Sequence, residues 1–112
     1  MILFISSQHP EPQSPINERF GRCEWLMKYD SKTGQWTEHQ NPGAAQSGGA
    51  GVAAAQFVID HKADAVISGA FGPNAAGAFR AGNIAMKLFG SEVSTVEQAA
   101  EYCLQDKLES FK

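Results

Sequence analysis

The stretch Ser68-Gly69-Ala70-Phe71-Gly72-Pro73-Asn74 carries an apolar segment into glycine, proline and asparagine just before an alanine-rich run. Residues of these types do chemistry with the backbone rather than with side chains. Glycine lets the main chain approach a ligand closely, and the first turn of a helix presents unpaired N–H groups with partial positive charge. Gly72, Pro73 and Asn74 therefore point to an anionic ligand. The same residues also make an ordinary tight turn with proline at the first helical position, where its missing donor costs nothing. A second run, Gly48-Gly49-Ala50-Gly51-Val52-Ala53-Ala54, contains a G-x-G-x-x-A pattern. It does not follow the first strand of a βαβ unit, and the next strand ends without the acidic residue a ribose requires, so a dinucleotide site is not indicated. No G-K-[ST] follows either run, which excludes a P-loop, and no nucleophile–base pair is apparent.

The elements that must position these glycines follow from patterning. Residues 1–5 are continuously apolar and read as a buried strand. Residues 6–22, with Pro10, Pro12 and Pro15, read as a long loop. Residues 23–30 alternate as a strand, with Trp25, Met27 and Tyr29 on one face and Leu26 and Lys28 on the other. Residues 31–34 supply turn chemistry, and residues 35–40 complete a hairpin. Helical spacing of Val52, Ala54, Ala55, Val58 and Ile59 predicts a helix over 50–61. A strand over 64–70 leads to a helix opened by Pro73 and closed by Gly82, then a strand over 83–89. Ser94-Thr95-Val96-Glu97 reads as a capping box for a last helix, with Val96, Ala99, Ala100, Cys103 and Leu104 as its buried stripe.

This order implies a mixed α/β sheet with a leading antiparallel hairpin. The loop of residues 6–22, the glycine-rich segment 43–51 and the turn 69–73 then emerge at one sheet edge, the carboxyl edge where open α/β sheets bind ligands.

The chain of 112 residues suits one domain with one core. A net charge of −3, spread along the chain, offers neither a nucleic-acid footprint nor a membrane patch. Without a signal-peptide pattern or a membrane-spanning run, the expected location is the cytoplasm. Cys23 and Cys103 are far apart and lack C-x-x-C spacing, so neither a disulfide framework nor a thiolate zinc site is indicated.

The segments ERFGRCEWLMKYD, GGAGVAAAQFVIDHKADAVISGAFGPNAAGAF and AGNIAMKLF resemble the dinitrogenase iron-molybdenum cofactor biosynthesis family, which includes NifX, NafY and the C-terminal part of many NifB proteins. The resemblance implies a three-layer α/β/α ribonuclease H-like fold with a five-stranded mixed sheet. It also implies binding or carriage of an iron–sulfur or iron–molybdenum cluster without catalysis, with cluster-assembly proteins as partners and a monomer or weak homodimer as the working form. Nuclease chemistry is not implied, because the first strand lacks the carboxylates that hold divalent metal.

Thiolate and imidazole are the natural protein ligands of such clusters, and Cys23 and His9 are the expected metal ligands. His39, His61 and Cys103 read as structural. The NifX-like branch carries a histidine in an H-F-G motif where this chain has Arg19. A guanidinium stays protonated and cannot ligate iron, but it attracts an anion through charge and hydrogen bonds. Arg19, Phe20, Gly21, Arg22, Cys23, Gly49, Gly51, Gly72, Pro73 and Asn74 form the expected binding set. The alternative is a protein or enzyme that binds a small phosphorylated or carboxylated metabolite at the same edge; a third reading is a regulatory module that docks on a larger assembly.

Overall fold

The computed structural model describes residues 1–46 and 48–111; residue 47, inside the glycine-rich segment, lies outside them. Its centre is β1 (Ile2–Ser7), in which Leu3, Phe4 and Ile5 are all fully buried. A strand apolar on both faces belongs between two layers of helix, and β1 takes that position. The hairpin forms as expected from β2 (Trp25–Asp30) and β3 (Gln35–Gln40), joined through a turn in which Gly34 has φ 74. After α1 (Ala50–Asp60) come β4 (Ala65–Ser68), α2 (Pro73–Ala81), β5 (Ala85–Leu88) and α3 (Val96–Leu104).

The sheet order is β3-β2-β1-β4-β5-β6. β1 pairs antiparallel with β2 and parallel with β4, and β4 pairs parallel with β5. The sheet therefore has six strands, not the five expected. The sixth, β6 (Glu109–Ser110), pairs antiparallel with β5. Two polar residues carry no strand periodicity; this strand is held in place by packing of the adjacent Leu108 and Phe111.

Alternate residues of the strands build two cores. Phe4, Leu26, Val66 and Met86 pack under α1 and α2, while Leu3, Ile5, Met27 and Ile67 pack under α3. Four local expectations are corrected. β1 extends to Ser7, because Ser6 and Ser7 are buried with their hydroxyls bonded to loop carbonyls. Val52 and Leu104, expected in the core, are exposed, since small residues already fill both helix faces. The α3 capping box is Thr95 with Gln98 rather than Ser94 with Glu97. At the end of α2 the left-handed residue is Asn83 (φ 58), one past Gly82. All three helices end this way. Lys62, Asn83 and Asp106 take positive φ, and the next residue's N–H returns to the last turn, as in Ala63 to Val58 O and Ile84 to Phe79 O.

His39 and His61 pack with Phe4 and Phe57 in one aromatic cluster, with the His39 and His61 ring centroids 5.4 Å apart. His61 Nδ1 donates to Phe57 O at 2.8 Å. Burial, aided by the nearby His61 and Lys28, lowers the pKa of His39 from its ordinary value of 6.5, with Glu38 opposing. The folded state thus favours neutral His39 while the unfolded chain takes up its proton near the ordinary value. The stabilisation is present above that value and is lost as the pH falls below it. The melting temperature is expected to fall between pH 7 and 5.5, and to fall less in His39→Phe, which keeps an aromatic ring in the cluster while removing the proton site.

Candidate functional site

The carboxyl ends of β1 and β4 finish in serines that organise the loop above them. Ser6 Oγ donates to Asn17 O at 2.6 Å and meets Ser68 Oγ at 2.8 Å; Ser68 Oγ in turn lies 3.4 Å from Glu18 O. The chain then bridges Ala70, with Phe20 N donating to Ala70 O at 3.3 Å. Phe20 is buried against Phe71 and Phe79, with ring centroids 5.6 and 5.2 Å away. Anchored by that ring, the flanking Arg19 and Arg22 remain exposed.

The N-termini of α1 and α2 meet this loop. Gly21 lies so close to α1 that a Cβ there would stand 3.1 Å from Gly51 Cα. Gly49 caps α1 with φ 71, and Gly72 caps α2 in an extended conformation. Neither cap supplies a side-chain hydrogen bond, and neither first turn contains an acidic residue. The leading N–H groups of both helices are therefore left for a ligand or water.

Between these elements lies a cavity of about 290 Å³, lined by Arg19, Phe20, Gly21, Arg22, Gly49, Ala50, Gly51, Ala70, Gly72, Pro73, Asn74 and Ala75. No acidic side chain is among them. Arg22 Nη1 donates to Gln46 O at 2.6 Å, which ties the guanidinium to the segment leading into α1. A second depression, lined by Glu18, Arg19, Gly69, Ala70 and Phe89, shares Arg19 and Ala70 with the first, so Arg19 stands on the ridge between them. Nine of the ten residues expected to bind line the first cavity; Cys23 does not.

Cys23 precedes β2 and is fully buried. Its Sγ donates to Phe20 O at 3.2 Å and lies 3.4 Å from Asn41 Nδ2. Burial pushes its thiol up to about 11, against weaker opposing hydrogen bonds that include one from Asn41. A thiol in that range is protonated at neutral pH, whereas metal ligation needs the thiolate. His9 is exposed in the part of the loop tied to the start of α3, where Glu97 N donates to Pro12 O and Val96 N to Ser14 O. That attachment lies on the sheet face opposite α1 and α2. Among the described residues no three His, Cys, Asp or Glu side chains come together to hold a metal ion.

Sequence reasoning passed over Asn41, the organiser of this corner. Its buried Nδ2 lies 2.8 Å from Cys23 O, 3.3 Å from Phe20 O and 3.4 Å from Gly21 O, and its Oδ1 accepts from Gly43 N at 2.9 Å. One amide thus shapes both the arginine loop and the turn into α1. The available signal was Asn-Pro-Gly directly after a strand, a turn signature with an asparagine side chain available to bond backbone.

The family model described as dinitrogenase iron-molybdenum cofactor matches residues 1–106. No curated protein matches the chain. Among solved structures, the apo form of the orange protein from Desulfovibrio gigas superposes with a TM-score of 0.90 at 25% identity, covering 98% of this chain and 92% of that one. A Thermotoga protein provisionally assigned to NifB and placed in the DUF35 family superposes with a TM-score of 0.82 at 23% identity, over 97% of this chain and 91% of that one. No helix among the described residues is long and apolar enough to cross a membrane.

Proposed function

Because the chain belongs to the dinitrogenase iron-molybdenum cofactor family, we propose that its cavity binds an anionic iron–sulfur or iron–molybdenum-type cluster as cargo, for carriage between cluster-assembly proteins and without catalysis. The observation that carries this reading is the meeting of two helix N-termini without side-chain caps and two arginines at one cavity with no acidic side chain in its lining. Amide N–H groups and guanidinium are the donors that suit the sulfide or oxide surface of a negatively charged cluster.

The donor set also limits what is bound. Iron–sulfur clusters are ordinarily held by protein thiolates, and the one cysteine near the cavity is buried beneath it and protonated at neutral pH. The residues fit a preformed cluster that brings its own ligands and is held by charge and hydrogen bonds. They do not fit assembly from bare iron on protein side chains. The orange protein of similar fold is described in its apo form, which supports a bound form for that protein and, by likeness, a ligand here. The helix layers on both sheet faces likewise support a ribonuclease H-like assignment for the architecture.

The test is anaerobic incubation with ferrous iron, sulfide and dithiothreitol as external thiol, followed by desalting, visible absorption and iron analysis. Colour and stoichiometric iron are expected to stay with the wild-type protein and with Cys23→Ala. A colourless, iron-free protein overturns the proposal. The amide rim also suits a phosphate ester, so a parallel thermal-shift series with inorganic phosphate and sugar phosphates decides the alternative. Stabilisation by those anions without cluster retention would favour a metabolite.

A further inference from the structure

A second concave surface lies on the opposite sheet face, at the hairpin end. Tyr29 and Trp36 are direct cross-strand partners in β2 and β3, with ring centroids 4.6 Å apart. Facing them, α3 presents Glu97, Ala100, Glu101 and Leu104 at helical spacings of three and four, which puts all four on one stripe. Together with Gly34 these residues line a groove of about 400 Å³. The sheet wall is aromatic and half-buried, whereas the helix wall offers an exposed Leu104 and two exposed carboxylates. Glu97 Oε2 accepts a long hydrogen bond, 3.4 Å, from Gln13 Nε2.

Among the described residues, Glu97 and Glu101 are the only charged side chains lining this groove, and they stand one helical turn apart across from the Tyr29 and Trp36 rings. A planar cation satisfies both walls at once. It stacks on indole or phenol, and its N–H groups reach carboxylate oxygens. We infer that this groove receives an arginine side chain from a basic segment of a partner protein. Leu104 and Ala100 contact the methylene stem of that arginine, since long cationic side chains cover apolar surface with their stems while the head stays polar. The groove borders the turn between β2 and β3, at the sheet end opposite the helix-lined cavity, so both are accessible at once.

The probe is an acetylated, amidated decapeptide of alternating arginine and glycine, with glutamate–glycine as control, titrated into a Trp25→Phe protein so that Trp36 is the sole tryptophan, excited at the long-wavelength edge where tyrosine barely absorbs. A saturable change in Trp36 emission with the arginine peptide is expected. Its affinity should fall at least tenfold in Glu97→Gln/Glu101→Gln, which leaves the fold intact because both side chains are exposed. Glu11→Gln/Glu92→Gln, with the same change in net charge elsewhere, should bind as the parent does. No saturable response at millimolar peptide overturns the inference. So does equal weakening by both charge-matched pairs, or equal binding of the acidic control. Concentration-dependent dimerisation abolished by Glu97→Gln/Glu101→Gln also overturns it, by assigning the groove to a second copy of the chain.

Discussion

Gly43→Ala is expected to destabilise the protein by about 3 kcal/mol and to lower its melting temperature by about 10 °C or more. A Cβ at Gly43 would stand 2.3 Å from Ala50 O and 3.0 Å from Gly21 O. Both neighbours are backbone, so no rotamer change relieves the clash. Ala50 is the first residue of α1 and Gly21 lies in the arginine loop, hence the displaced atoms are those that shape the cavity. Cluster retention should fall with stability. Gly48→Ala serves as the control, because a Cβ there meets nothing within 4 Å; its cost should stay within about 0.5 kcal/mol. Thermal unfolding followed by circular dichroism measures both. A Gly43→Ala protein as stable as the parent would mean that the approach of α1 to the loop is not rigid.

The second large effect concerns binding. Arg19→Glu/Arg22→Glu reverses both charges at the cavity, and cluster affinity is expected to fall at least about 100-fold. Each hydrogen bond to a charged group contributes about 1.5–3 kcal/mol, and the low end applies because both side chains are exposed. Two such losses amount to about 3 kcal/mol before the new repulsion is counted, and about 1.4 kcal/mol corresponds to a factor of ten. The melting temperature should change little, since neither guanidinium supports the core. Raising the salt concentration should weaken wild-type binding and, by screening the new repulsion, narrow the gap between wild type and variant. Anaerobic titration with a dithiothreitol-capped iron–sulfide cluster, read by visible absorption, gives both affinities. Retained affinity in the variant would put the binding energy on the helix amides alone.

Much of the architecture was legible in the chain because it depends on local rules. The apolar run of β1, the alternation in β2 and Pro73 at the start of α2 each act over a few residues. So does the turn at residues 31–34. Together they imply strand directions that bring three loops to one edge, and nine of the ten expected residues do line one cavity there. The capping register of α3 and the exposure of Leu104 were less legible, since each depends on which atoms the rest of the fold has already covered. β6 escaped altogether, because two polar residues pair only when the neighbouring chain is in place.

Cys23 marks the boundary most sharply. Its position next to two arginines is a property of the sequence, and by itself it reads as a ligand at the mouth of a site. Whether a side chain points out or in depends on a turn of the backbone, and that turn is set by Phe20 entering the core and by Asn41 bonding Phe20 O and Cys23 O. Residue order alone determined the helix-initiating glycines, the arginines and their shared edge, because period and turn chemistry act between near neighbours. Only tertiary packing decided that the thiol is buried and the guanidiniums are exposed, because burial is fixed by contacts between segments distant along the chain.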